Sequence, residues 1–267
     1  MEKALILKRP LLIGTYHKTG TVYMHRVFSM TCRKLGVKMF AANPEVLKPT
    51  DRDAVYISGV TRFHNDFLSL PDGFTGFRVI RDFRDIAISG ARYHLTSSEK
   101  WLDDPNPAHP GGSYRNALLG AGSLRNQIRF EMHRLGRVTA EHIKDEIQAP
   151  HAMRGAELET VKLEKLNGPH AVEAFEAVLQ RCGISGDFFS VAVAEFKGYA
   201  KNRVNEKGRR HIHNWSTEPL WTQRLDQALA IEMAELYQPL LVEFGYERDD
   251  SWIKGLPEHR PELDTPC

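Results

Sequence analysis

Lys18, Gly20 and the threonines at 15, 19 and 21 crowd into the segment Thr15-Tyr16-His17-Lys18-Thr19-Gly20-Thr21, directly after the apolar run Leu11-Leu12-Ile13. A short polar turn between a buried strand and a helix start presents backbone N–H groups to one point, and the first turn of the helix favours negative charge there. An ammonium beside those amides completes an anion cradle. An ATP-type loop reads G-x-x-x-x-G-K-[ST], with Lys after the second Gly. Here Lys18 comes two residues before Gly20, so the loop reads as a phosphate binder of another kind. A loop lysine is ordinarily solvated; its place between strand and helix is what assigns it to phosphate.

Arg81 opens a second basic junction, Arg81-Asp82-Phe83-Arg84-Asp85, with Ser89 further along. A guanidinium can grip a phosphate through a charge-assisted fork, and a serine hydroxyl adds a donor. The plain alternatives are a surface pair between Arg81 and Asp82 or Asp85, and a small packing residue at Ser89. Lys207, Gly208, Arg209 and Arg210 form a basic run whose ordinary reading is a solvated loop. The sequence has 12 histidines, and an isolated one, His64 included, is more often structural; His17 stands out by lying in the loop itself, with His94 and His109 behind it. Trp101 and Trp215 read as packing anchors.

The elements around these residues read as α/β. Leu11–Thr15, Ala54–Ser58, Phe77–Ile80 and Glu159–Leu163 are expected strands. Helices are expected over Thr21–Leu35, stopped by Gly36, over Asp85–Tyr93, over one or two stretches of Asn116–Ile147, and over Pro169–Cys182, Asp187–Ala200 and Thr222–Phe244. Leu102–Gly112 reads as a loop. The alternation predicts a three-layer fold with a mostly parallel central sheet flanked by helices, of the P-loop NTPase-like kind. Ligands in such sheets sit at the carboxyl ends of strands, where the Lys18 and Arg81 junctions fall. A single domain over residues 1–267 is expected, with a core of about 11–244 and a loose tail over 250–267.

The chain has 267 residues, 42% apolar and 26% charged, with a net charge of +2. Overall charge therefore argues for neither nucleic acid nor an anionic membrane surface. Cys32, Cys182 and Cys267 are odd in number and widely spaced, which predicts neither a disulfide framework nor a zinc site. No apolar run reaches spanning length, and the expected compartment is the cytoplasm. No motif calls for a metal. The partner class is a small-molecule acceptor, and oligomeric state stays open.

Taken in order, these segments resemble the sulfotransferase family, whose donor is 3′-phosphoadenosine 5′-phosphosulfate (PAPS; its product is adenosine 3′,5′-bisphosphate, PAP). Thr15–Thr21 is similar to the family's T-Y-P-K-S-G-T loop, with His17 for Pro and Thr19 for Ser. Val79–Ser89 is similar to its R-N-x-K-D-x-x-x-S segment. Arg62-Phe63-His64 with Leu68–Pro71 resembles the K-T-H-L-P stretch that holds the family's catalytic histidine. Val161–Leu166 resembles the Y-E-D-L strand end, and Lys207-Gly208 with Trp215 the R-K-G…W loop. The sequence departs from the family in three further places: Glu206 stands at the family's Arg, with Arg209 or Arg210 as its replacement; Tyr23 stands at an adenine-stacking Trp; and Leu163 stands at a Tyr.

The resemblance implies sulfuryl transfer, with no metal, to a hydroxyl or amine. His64 is the implied base, with His17 next in line or shaping the acceptor pocket. Lys18 stabilises the leaving phosphate, and Arg62 steadies the sulfonate. Thr19, Gly20, Thr21 and Val22 hold the 5′-phosphate, Tyr23 stacks on adenine, and Arg81, Ser89, Lys207, Gly208 and Arg209 bind the 3′ side. A P-loop-type ATP-dependent small-molecule kinase and a catalytically degenerate nucleotide-binding protein are the alternatives.

Overall fold

Leu11–Gly14 is buried along its whole length, as a strand in the middle of a parallel sheet must be. The computed structural model describes residues 6–41, 51, 53–59, 73–148, 158–202 and 219–265. The described elements are, in chain order, β1 (Leu11–Gly14), α1 (Thr21–Leu35), β2 (Lys38–Ala41), β3 (Ala54–Ser58), β4 (Thr75–Ile80), α2 (Phe83–Thr96), α3 (Tyr114–Gly120) and α4 (Leu124–Glu131). There follow α5 (Arg137–Gln148), β5 (Leu158–Lys162), α6 (Leu163–Asn167), α7 (Ala171–Arg181), α8 (Gly186–Asn202), α9 (Leu220–Arg224) and α10 (Gln227–Glu243). The chain divides into two compact units, Met1–Arg81 with His142–Thr217, and Asp82–Glu141 with Glu218–Cys267.

The first unit holds the sheet, five parallel strands in the order β2-β3-β1-β4-β5. Its α/β class is the expected one. β2 was not anticipated: only four residues long and partly exposed, it is an edge strand with too little apolar patterning to read. β1 pairs Gly14 with Ser58 on one side and with Arg78 on the other. The chain leaves β1 toward β2 and next re-enters the sheet after β4 at β5, on the opposite edge. The carboxyl ends of β1 and β4 therefore flank a topological switch point, where open α/β sheets bind ligands. Gly76, opposite Leu12, is obligatory there, since a Cβ would lie 1.9 Å from the Leu12 carbonyl oxygen.

Leu11 and Ile13 face a core with Val27, Phe28, Phe77 and Phe175. The Phe28 ring centroid lies 6.0 Å from those of Phe77 and Phe175, and each fully buried side chain of this size contributes roughly 1.5–3 kcal/mol. Leu12 turns the other way, with Tyr56 and Phe74. α1 is the helix that carries the loop's amides. It starts from Gly20 and stops at Gly36, whose φ of 65° supplies the left-handed cap.

The second unit is helical. α2 starts from Asp82, whose side chain accepts from the Arg84 N–H at 3.0 Å. The expected helix over Thr222–Phe244 is two, because the chain is extended at Leu225 and Asp226 caps α10 anew. The expected loose tail is packed: Trp252 and Leu263 are buried, and Asp264 binds Arg125 at 2.6 Å. The tail's polar composition hid those three anchors.

Candidate functional site

The loop after β1 is built by its hydroxyls. Thr15, fully buried, donates its backbone N–H to the Ser58 carbonyl at 2.9 Å, which ties the loop's root to the end of β3. Its Oγ1 lies 2.9 Å from Thr21 Oγ1 and 3.0 Å from the same Ser58 carbonyl. Thr19 accepts from the Tyr16 N–H at 2.7 Å, and its hydroxyl and N–H both point at the Tyr16 carbonyl, at 3.1 and 3.2 Å. Thr21 Oγ1 reaches that carbonyl too, at 3.1 Å. The result is a four-residue turn, Tyr16 to Thr19, closed from three directions.

Lys18 occupies the third position of that turn with φ 62°, the sole non-glycine residue at positive φ among the described residues. A positive φ at this position is what glycine normally supplies in a type II turn, and for a side-chain-bearing residue it costs about 1–2 kcal/mol. Gly20 follows with φ 98°. A Cβ there would approach Leu163 Cδ1 to 2.9 Å, so Leu163, at the start of α6, packs against the loop as a lid on its glycine. The amides of Gly20, Thr21 and Val22 then open α1, where the helix ladder provides no acceptor. Val22 is 48% exposed, while Lys18, Gly20 and Thr21 are half-buried.

Arg81 joins this site. It follows β4 directly, is half-buried, and donates from Nη1 to the Lys18 carbonyl at 3.2 Å. The two basic junctions meet at the switch point, as the topology requires.

Two expected ligands have other places. Thr19 is fully buried, and its single hydroxyl proton is directed at the Tyr16 carbonyl; it is a staple inside the loop, not a hydroxyl facing a ligand. Thr21 differs. The Tyr16 carbonyl has two lone pairs and three donors around it, so the half-exposed Thr21 hydroxyl can turn to an anion without leaving that carbonyl unpaired. Tyr23, expected to stack on a base, is 2% exposed and lies in the packing between α1 and α8, with Tyr199 stacked at 4.9 Å and Phe196 at 5.1 Å. Its place in the motif says nothing about which side of the helix the ring faces; the α8 aromatics decide that.

His17 is half-buried on the loop. Arg62 and His64 lie outside the described residues, as do Lys207, Gly208, Arg209, Arg210 and Trp215. In the second unit, Ser89 is half-buried in α2. His94 is fully buried, with Nδ1 2.5 Å from the buried Glu131 Oε1 and the rings of Trp101 and Tyr114 edge-on at 5.4 and 5.5 Å; it is a core histidine. Cys32 and Cys182 are core thiols, pushed up by burial to about 12 and about 11 respectively, and inert at neutral pH. The staples Thr15 and Ser58 were missed, although two hydroxyl residues ending neighbouring buried strands were a usable signal.

No protein-family model matches this sequence, and no curated protein matches it. Among solved structures, the chain is similar to a mouse sulfotransferase, SULT7A1, complexed with PAP. The TM-score is 0.53 at 11% identity, over 92% of this chain and 87% of that one. The chain has a sulfotransferase fold. Identity this low makes the likeness one of backbone, which the sulfotransferase fold shares through its parallel sheet. No helix among the described residues is long and apolar enough to cross a membrane.

Proposed function

We propose that this protein is a sulfotransferase that takes its sulfuryl group from PAPS and delivers it to a hydroxyl or amine of a small acceptor. The observation that carries the proposal is the meeting of the Lys18 loop and Arg81 at one sheet switch point. The donor set suits the ligand. The Gly20, Thr21 and Val22 amides, the Thr21 hydroxyl and the Lys18 ammonium suit a 5′-phosphate. Arg81, with Ser89 and the Lys207–Arg209 run on the strength of the sequence resemblance, suits a 3′-phosphate.

The donor supplies an SO₃ group whose bond to the 5′-phosphate oxygen breaks as a bond to the acceptor oxygen or nitrogen forms. Charge then builds on the leaving oxygen, and the compact Lys18 cation stabilises it. His64 takes the acceptor's proton; an imidazole with an ordinary pKa of ~6.5 is half-ionised near that pH and accepts it readily. Arg62 steadies the sulfonate oxygens, and His17 borders the acceptor. Tyr23, its ring stacked on Tyr199, holds α1 against α8.

The test is transfer from a radiolabelled donor across a panel of phenols, alcohols and amines. Lys18→Ala is expected to lower transfer about 10²–10³-fold, the scale of losing one transition-state donor. His64→Ala should abolish transfer while nucleotide affinity stays near wild type. A fully active His64→Ala enzyme would reject that base in favour of His17.

A further inference from the structure

We infer that Arg81 is a positioning residue for the Lys18 loop, acting through the Lys18 carbonyl, in addition to any contact it makes with a nucleotide. This rests on the reading of the loop as the nucleotide site.

The argument begins with an oddity of residue choice. The third position of the Tyr16–Thr19 turn has φ 62°, and it carries lysine where glycine would be unstrained. A strained backbone persists only where its surroundings over-determine it. On the Tyr16 side, the turn is closed by the Thr19 N–H and hydroxyl and by Thr21. On the far side, the peptide that leaves Lys18 is held by the Arg81 guanidinium at 3.2 Å. That peptide's orientation sets two things at once. It fixes the Cα–Cβ direction from which the Lys18 ammonium extends, and it feeds Thr19 and Gly20 into the first amides of α1. Arg81 is well suited to the task, since it stands at the end of β4, the strand paired residue by residue with the central strand β1. The guanidinium thus links the two strand ends across the switch point, and the planar fork leaves its other N–H groups directed elsewhere.

The inference separates cleanly from simple ligand contact. An arginine that only contacts the 3′-phosphate has no influence on a nucleotide lacking that group. An arginine that holds the loop affects every 5′-phosphate. The experiment is calorimetric titration of wild type and Arg81→Met, which keeps the aliphatic stem, with PAP and with adenosine 5′-monophosphate. Thermal melts of both proteins establish that they are folded. The expected result is a loss of about 5- to 10-fold in affinity for the monophosphate on removing Arg81, the scale of a charge-assisted hydrogen bond acting at one remove. Unchanged monophosphate affinity, with only PAP weakened, would overturn the inference and leave Arg81 as a ligand contact alone. A wild-type protein that binds neither nucleotide would instead overturn the reading of the site.

A double-mutant cycle gives the second arm and holds even if Arg81→Met lowers the melting temperature. With Lys18→Gly the turn needs no enforcement, so adding Arg81→Met should cost the monophosphate less than twofold. Additive losses in the cycle would contradict action through the Lys18 backbone.

Discussion

Arg81 is half-buried at the end of β4 and donates to a neutral carbonyl of the phosphate loop. Arg84, in the first turn of α2, is 1% exposed. Its guanidinium binds Asp82 through Nε and Nη2 at 2.9 and 2.6 Å and Glu247 at 2.7 Å. The rings of Trp221 and Trp252 lie against it, 3.8 and 4.4 Å from its central carbon. Three residues of one motif thus separate an arginine placed to act at the loop from one locked in a helical core. Burial of Arg84 by itself favours its neutral form, but its carboxylate partners override that and hold its pKa above the ordinary value. The difference teaches that in a basic motif the placement of each guanidinium, more than its charge, decides whether it can serve a ligand. A buried, doubly paired and stacked arginine serves the fold.

Four substitutions break or sharpen that contrast. Arg84→Met should be the most damaging, since it leaves Asp82 and Glu247 beside a lost cation. A loss of about 3–5 kcal/mol in unfolding free energy is expected from urea titration. A near-neutral outcome would mean that the tryptophans alone hold this core.

Asp226 comes next. It caps α10 and binds Arg125 at 2.6 Å. Burial pushes its carboxyl up, but the Arg125 bond prevails and holds it at about 2, below its ordinary 3.8. A depressed carboxylate stabilises above its unfolded-state pKa, and that contribution fades as pH falls through the folded-state value. The stability gap between wild type and Asp226→Asn should therefore be full above pH 4 and shrink toward about pH 2. A gap independent of pH would refute the ionic role.

Thr19→Val removes the loop staple at constant shape and should cost about 1–3 kcal/mol, with Thr19→Ser close to wild type. A loss confined to Thr19→Ser, with Thr19→Val near wild type, would place the effect in packing of the methyl group.

Lys18→Gly is the smallest effect and the most instructive. Relief of the left-handed backbone should stabilise the protein by about 0.5–1 kcal/mol while transfer collapses. A destabilised Lys18→Gly protein would remove the argument that strain is retained for chemistry.

Much of this was legible in the residues. The span of α1, from Thr21 to the glycine at 36, was written in the polar loop before it and the left-handed stop after it. β3 was legible because buried parallel strands are short unbroken apolar runs. The Lys18–Arg81 pairing was legible only as two strand-end loops; that they meet depends on β1 and β4 being neighbours, which local pattern does not encode. The burial of Arg84 was illegible because Trp221, Glu247 and Trp252 come from the far end of the chain. Tyr23 misled for a related reason, since a motif position identifies the residue and leaves its surroundings open. β2 and the packed C-terminal segment were missed because a few anchors in polar stretches decide them.

The central claim is that the Lys18 loop and Arg81 hold a doubly phosphorylated adenosine. The measurement that addresses it most directly is competitive titration of PAP against ATP with Mg²⁺ on the wild-type protein. The account predicts that PAP binds at least about tenfold more tightly, the least that one charge-assisted contact to the 3′-phosphate would add. Equal binding, or preference for ATP with Mg²⁺, would contradict it and turn the site toward phosphoryl transfer.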